Sequence, residues 1–422
     1  MTATAVRPLP SLPVDRDLPG AAELCAGAGA AGVARFLAGR GLEPHRIEAA
    51  QAHYRPGRWL TVCFRTASVD RASGAPVCLT VTVDCRAGEP DTTWAFPEDP
   101  SLPGLAPAAD GRDVRRRLRP RPAEVVVEPL RYRPRRRAVL RYRLPGGRVL
   151  FAKVMTPKRA RHLLAVAGAL RPSVDRGEPA GRAIGSLPAV PLALPIGRLG
   201  PGALVVPLMP GVPLRDLLLA GGRVPPPDRL AGLPGAVHRR CSAALGPLLG
   251  RGQDDRRRVD PCTALTAARH VARLLPDHGC AAGRLAEAVI AWAEASEPPD
   301  DRVVHGDLYE NQVILDGDRL GLIDLDDLGP GDPLLDAANF VAHLLLLGTS
   351  ATPAAGGILR YRDELRAAFC RRLDADPTDL AWREAYCLLR LAGGPFRVLH
   401  PEWPQRMAQR LALAGAALPG RS

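Results

Sequence analysis

The stretch Val303-Val304-His305-Gly306-Asp307-Leu308-Tyr309-Glu310-Asn311-Gln312-Val313-Ile314-Leu315 decides how this chain is read. It continues into Gly321-Leu322-Ile323-Asp324-Leu325-Asp326-Asp327 and Gly331-Asp332-Pro333-Leu334-Leu335-Asp336. The apolar runs at 303–304, 313–315 and 320–323 have the length and branching of short strands, with carboxylates at their ends. Between residues 300 and 340 eleven acids stand against two arginines, a net of −9 inside a chain of +13. Such a concentration calls for divalent cations, a cationic ligand or solvent. Several of these acids adjoin apolar runs, which fits simple solvation poorly.

Upstream the balance reverses, with 17 Lys and Arg against three acids from 112 to 159. Alternating patterns at 125–132, 137–144 and 149–155 read as strands, the last two joined by the turn Pro145-Gly146-Gly147. Thr156-Pro157 then opens a helix that should run to about Leu170, with Pro172 as its stop. Two further strands are expected at 192–196 and 203–209, and from 211 onward the pattern is mainly helical. Before the basic block, residues 21–40 look helical and 60–65 and 77–83 look like strands. Prolines at 90, 97, 100, 103 and 107 mark residues 87–111 as a linker or long loop. Tyr54-Arg-Pro-Gly-Arg58 echoes Tyr132-Arg-Pro-Arg-Arg136 at an offset of 78 residues, each followed by an apolar run. The echo reads either as a partial duplication or as two hairpins sharing turn chemistry.

His305-Gly306-Asp307, with an amide at 312 and Ile323-Asp324 beyond it, resembles the aminoglycoside phosphotransferase and choline kinase group of protein-kinase-like enzymes. The related protein-kinase pattern is H-R-D-x-x-x-x-N followed by D-F-G. The resemblance spans about 115–415 and implies an α+β, two-lobed protein-kinase-like fold. A small antiparallel-sheet N-lobe would precede a larger, mainly helical C-lobe, with an extra N-terminal region. The corresponding division is 1–111 as cap or extension with linker, 112–210 as nucleotide-binding N-lobe and 211–422 as helical C-lobe.

The implied activity is transfer of the γ-phosphoryl group of ATP or GTP, with Mg²⁺, to a hydroxyl of a small molecule. Aminoglycosides, amino sugars and sugars are the acceptors in view. Asp307 would orient and deprotonate the acceptor hydroxyl. Asp324 and Gln312 would hold Mg²⁺. Lys153, in Val149-Leu-Phe-Ala-Lys-Val-Met155, resembles the V-A-I-K lysine that holds phosphates. It is one of only two lysines, beside Lys158, among 57 basic residues. Val205–Leu214 resembles the hinge along adenine, with the backbone of Pro207, Leu208 and Met209 available to the base. His305 reads as a structural loop histidine, and Asp332 and Asp336 as helix-starting and loop-bracing carboxylates.

The chain departs from the family in three places. Gln312 stands where Asn is usual, a feature also resembling bacterial sugar kinases of the maltokinase type, and Asp326 or Asp327 could compensate for it. No acid lies between Lys158 and Val174 to pair with Lys153, which leaves Asp175 or Glu178. No glycine-rich loop follows the first strand, since Arg133-Pro-Arg-Arg-Arg137 fills that turn, either contacting phosphates or solvated. These departures motivate the rival reading, an inactive kinase-like protein that binds or regulates. A third class, nucleic-acid association through the 112–159 block, would show as strongly salt-dependent DNA binding.

Composition bounds the rest. The chain has 422 residues, 46% hydrophobic and 24% charged, which excludes a disordered or collagen-like protein. Lysine scarcity and 4% aromatics argue against a specific nucleic-acid binder. Nine scattered cysteines without a C-x-x-C pair read as reduced thiols. No apolar run approaches a membrane span, so a cytoplasmic protein is expected, with no membrane partner and an oligomeric state left open.

Overall fold

The computed structural model describes residues 5–7, 15–175, 190–245, 258–297, 302–350 and 352–420. The architecture is α+β: an N-terminal unit with its own sheet, a small antiparallel-sheet lobe, and a larger lobe of helices.

The first sheet has the order β1 (Ala5–Arg7), β2 (Leu42–Arg55), β3 (Trp59–Asp70), β4 (Pro76–Arg86) and β5 (Thr92–Ala95). Only the β1–β2 pair is parallel. Along β3 the side chains alternate between two cores. Leu60, Val62 and Phe64 share a core with Val33 and Leu37 of the helix Gly29–Ala38, and Cys63 joins the opposite one with Leu102 and Leu105.

The second sheet runs β6 (Val126–Arg133), β7 (Arg137–Arg143), β8 (Val149–Met155), then β10 (Ala203–Pro207) beside β9 (Gly197–Gly200), all antiparallel. Ala138, Leu140 and Tyr142 of β7 are buried against Leu105, Ala108 and Val114. Those three come from the helices Leu105–Ala109 and Gly111–Arg117. The helical lobe is built around Phe340, Phe369, Trp382 and Tyr386, all buried. Two small ribbons line its face toward the sheets. One joins β11 (Val212–Pro213) to the β13 (Val313–Asp316) and β14 (Arg319–Leu322) hairpin, and the other pairs β12 (Arg302–Val304) with β15 (Gly329–Gly331).

The two Tyr-Arg-Pro echoes are the turns of equivalent hairpins, β2–β3 and β6–β7. In the first, the Tyr54 hydroxyl donates to Asp15 Oδ2 at 2.6 Å and the Gly57 amide to the same oxygen at 2.8 Å. In the second, the Tyr132 hydroxyl donates to Asp99 Oδ2 at 2.8 Å and the Arg135 amide to it at 2.7 Å. Gly57 and Arg135 both adopt left-handed backbone, φ 68° and 60°. Each aspartate heads the same pattern, Asp15-Arg-Asp-Leu18-Pro19-Gly20 and Asp99-Pro-Ser-Leu102-Pro103-Gly104, with the leucine 1% exposed in both. Shared turn chemistry alone does not bring a distant Asp-x-x-Leu-Pro-Gly segment to the same two donors twice. The chain therefore contains a structural repeat.

Three sequence expectations need correction. Residues 87–111 are not simply a linker, because they contain β5 and the helix Leu105–Ala109, and that helix covers the second sheet. The helix Pro157–Asp175 continues through Pro172. Its Leu163, Val166, Ala167 and Leu170 are buried, and that packing outweighs one lost backbone bond. The strand expected at 192–196 is reduced to an isolated bridge at Leu192, and β9 begins five residues later. Leu192 is held instead by the helical lobe, beside Leu322 of β14.

Candidate active site

The 303–336 segment folds into a loop whose backbone explains its residue types. Gly306 has φ 82°, and a Cβ there would collide with the Asp327 carbonyl oxygen. Only glycine fits between histidine and aspartate. His305 is fully buried, with Nε2 2.9 Å from the Ile323 carbonyl oxygen, tying the loop to the segment that carries Asp324. Asp336 accepts the His305 and Gly306 amides at 2.7 and 3.0 Å. Asp332 caps the helix Pro333–Gly348 through the Leu334 amide at 2.9 Å and pairs with Arg383 at 2.7 Å. These three residues hold the loop in shape, as their sequence positions suggested.

Asp307 is left facing outward from this brace, with Asn339 Nδ2 at 3.5 Å. Burial raises its pKa above the ordinary carboxylate value, the nearby charges of Asp324 and Asp327 add to the rise, and His305 and Arg390 oppose it. A carboxylate tuned upward suits proton acceptance from a hydroxyl better than an ordinary one.

Asp324 sits in left-handed backbone, φ 60° and ψ 53°, which aims its carboxylate back toward the second sheet. Lys153 Nζ donates to Asp324 Oδ1 at 2.7 Å and to Asp326 Oδ1 at 2.8 Å. Arg137, at the start of β7, lies 3.5 Å from the other oxygen of each. Burial works against charge on Asp324, yet Lys153 and Arg137 hold its carboxyl well below the usual range. The Gln312 amide lies 3.4 Å from Asp324 Oδ2. It is oriented here with Nε2 inward, and a half-turn of the amide presents Oε1 instead.

The missing partner of Lys153 is thus supplied by Asp324 and Asp326. Of the two residues expected there, Glu178 and the side chain of Asp175 lie outside the described residues. The arginine turn splits its roles. Arg137 enters this cluster, while Arg135 pairs with Asp84 at 2.8 Å and stacks on Trp94, so neither of these two is merely solvated. Pro207, Leu208 and Met209 connect β10 to the helical lobe, where Met209 packs on Gly321 and Leu208 is exposed.

A metal in this position would meet carboxylates and an amide, the hard oxygen donors that Mg²⁺ prefers. Among the described residues no group of three His, Cys, Asp or Glu forms a dedicated metal cage.

Sequence reasoning missed Arg137, Asn339 and the pairing of Arg159 with Asp327 at 2.6 Å. Arg137 was visible only as part of a basic run. The carboxylates that seemed to invite a cationic ligand are largely engaged within the protein: Asp324 and Asp326 by Lys153, Glu310 by Arg215, Asp332 by Arg383 and Asp336 by backbone amides.

Among the described residues no helix is long and apolar enough to cross a membrane. No curated protein matches the chain. Solved structures similar to it include the following three. A thermostable mutant of aminoglycoside phosphotransferase APH(4)-Ia, with ADP and hygromycin B, is 16% identical over 70% of this chain and 96% of its own, TM-score 0.46. Macrolide 2'-phosphotransferase type I is 16% identical over 71% and 92%, TM-score 0.39. APH(3'')-Id from Streptomyces rimosus is 21% identical over 64% and 93%, TM-score 0.39. The family model described as the phosphotransferase enzyme family (APH) matches residues 179–373, so the resemblance carried by His305-Gly306-Asp307 and Asp324 is also found by a comparison that spans both.

Proposed function

We propose that this protein transfers the γ-phosphoryl group of ATP or GTP to a hydroxyl of a small, sugar-like molecule. The observation that carries the reading is the Lys153, Asp324 and Gln312 cluster beside Asp307, of which Asp307, Gln312 and Asp324 lie in a segment that matches a phosphotransferase family. An inactive relative would have no need to keep the base, the lysine and the metal-type carboxylate together.

The roles follow from charge and position. Lys153 and Arg137 carry two positive charges toward the sheet side, where phosphates would replace part of their carboxylate pairing. Bound Mg²⁺, held by Asp324, Gln312 and Asp326, would supply neutralisation of phosphate charge. The exposed backbone at Leu208 and Met209 offers hydrogen bonds to a base. Asp307 accepts the proton of the acceptor hydroxyl at its carboxylate, and Asn339 steadies that carboxylate.

The test begins with nucleotide consumption over a panel of hydroxyl acceptors and proceeds to Asp307→Asn. Nucleotide binding should persist in that variant while turnover falls roughly 10²–10⁴-fold, the usual share of a positioned general base. Because the Asp307 pKa is raised, kcat/KM of the wild type should climb with pH through a limb lying above the ordinary carboxylate range. Unchanged turnover in Asp307→Asn would sink the assignment, and joint loss of binding and activity would make the aspartate structural.

A further inference from the structure

A cleft of about 790 Å³ opens beside the catalytic loop, between the β2–β3 turn of the N-terminal unit and the helical lobe. Seven arginines line it against a single acid, Asp260. Asp260 is already engaged, accepting the Cys262 and Thr263 amides at the start of a helix. The cleft communicates with the catalytic loop in two ways. Arg390 lines both this cleft and the small hollow formed by Gly306, Asp336 and Asn339. Tyr309, two residues after Asp307, stacks at 4.1 Å on His343, which forms part of the cleft wall.

The arginines here are not balanced. Among the described residues Arg390 and Arg397 have no carboxylate within ion-pair distance, unlike Arg215, which holds Glu310 at 2.9 Å. Arg397 comes from a short helical turn, Gly394–Arg397, and faces the β6–β7 hairpin arginines and His53 of β2. Their mutual repulsion is felt. Burial and then Arg397 push the Arg133 guanidinium down to about 9 and His53 down to about 3. Arg410 is lowered to about 10 by burial and by Arg397 and Arg406. Half-buried arginines converging from three parts of the chain, Arg390 and Arg397 among them without a carboxylate in ion-pair contact, are stabilised by an anion that enters between them.

We propose that the acceptor is anionic: a hydroxyl compound bearing a phosphate or carboxylate group, held by Arg397 and Arg390 with its hydroxyl toward Asp307. This rests on the phosphotransfer reading above and narrows its acceptor class away from cationic aminoglycosides. Arginine suits the task, since its planar fork binds either oxyanion in bidentate fashion. The N-terminal unit then forms one wall of the acceptor site through His53 and Arg55.

Calorimetric titration of the full-length protein, loaded with Mg-ADP, tests this with four probes: glucose 6-phosphate, galacturonate, glucose and kanamycin. At least one of the two anions should bind roughly tenfold or more tightly than glucose or kanamycin, weakening as salt is added. The two anionic arms separate phosphate from carboxylate recognition. Arg397→Ala should abolish that preference, and Arg397→Lys, which keeps the charge, should restore part of it, with melting curves confirming that both fold. Equal or tighter binding of glucose or kanamycin, or an anion preference that survives both Arg397→Ala and Arg390→Ala, overturns the proposal. Failure of the wild type to bind Mg-nucleotide at all overturns the phosphotransfer reading beneath it, and the two failures are read from separate titrations.

Discussion

Thr61 faces Asp84 across the first sheet as Val139 faces Lys153 across the second, each pair the same distance from its Tyr-Arg-Pro turn. The repeat thus places an acid in one copy where it places a cation in the other. Asp84 is fully buried and turns inward to its own neighbours: the Thr61 hydroxyl, Arg86 at 2.7 Å and Arg135 at 2.8 Å. Arg135 belongs to the turn of the second copy, so Asp84 locks one unit onto the next. Lys153 reaches outward, to carboxylates of the helical lobe more than 170 residues away in sequence. One scaffold therefore serves two ends. The first copy is a wall and an anchor, and the second, on the proposed function, would be the phosphate-facing side of a cleft.

The largest effect that could break this contrast is Lys153→Ala. Turnover should fall by about 10²–10³-fold, as when a preorganised charge stabilising the transition state is removed, with Mg-nucleotide affinity falling alongside. Asp84→Asn at the equivalent position should leave Mg-nucleotide affinity unchanged and lower stability instead. Breaking a buried pair costs about 3–5 kcal/mol, and partial exposure of Arg86 and Arg135 puts this case at the low end. Calorimetry and urea denaturation of the two variants would reverse the assignment if their effects were exchanged.

A smaller effect sharpens the likeness of the copies. Tyr54→Phe and Tyr132→Phe each delete a hydroxyl that donates to a buried aspartate, worth about 1.5–3 kcal/mol. Tyr132 also accepts from Trp94 Nε1 at 2.8 Å, so its loss strands a buried donor and should cost more. Urea midpoints in the opposite order would mean that the second turn does not depend on this hydroxyl as the first does.

Much of this organisation could be read from the residues alone, and the exceptions have physical causes. Strands β7 and β8 declared themselves because buried Ala138, Leu140, Tyr142, Ala152 and Val154 alternate with less buried neighbours, Arg137, Val139, Arg141 and Arg143 in the first and Phe151 and Lys153 in the second. β2 did not, since its buried Leu42, Ile47, Ala49, Ala52 and Tyr54 are unevenly spaced among Glu43, Pro44, Glu48, Gln51 and His53, and two register shifts against β3 break the alternation. The duplication showed only its turn. Its second half, Asp15 and Asp99 with the Leu-Pro-Gly that follows each, lies at an offset of 84 rather than 78, so one register could not find both. Asp307, Asp324, Gln312 and Lys153 stood out by motif, whereas Arg137 and Asp326 gained meaning only when the lobes brought them together. The cationic cleft gathers residues from 52 to 410 and has no local signature at all.

The central claim is that nucleotide binds between the second copy and the helical lobe and leaves the first copy aside. Amide hydrogen exchange with and without Mg-nucleotide measures this directly. Protection should rise at β8 around Lys153, at residues 207–209 and across 312–327, while β2 to β4 exchange as before. Protection confined to β2 to β4, or unchanged exchange at β8 and 312–327 under saturating Mg-nucleotide, would contradict it.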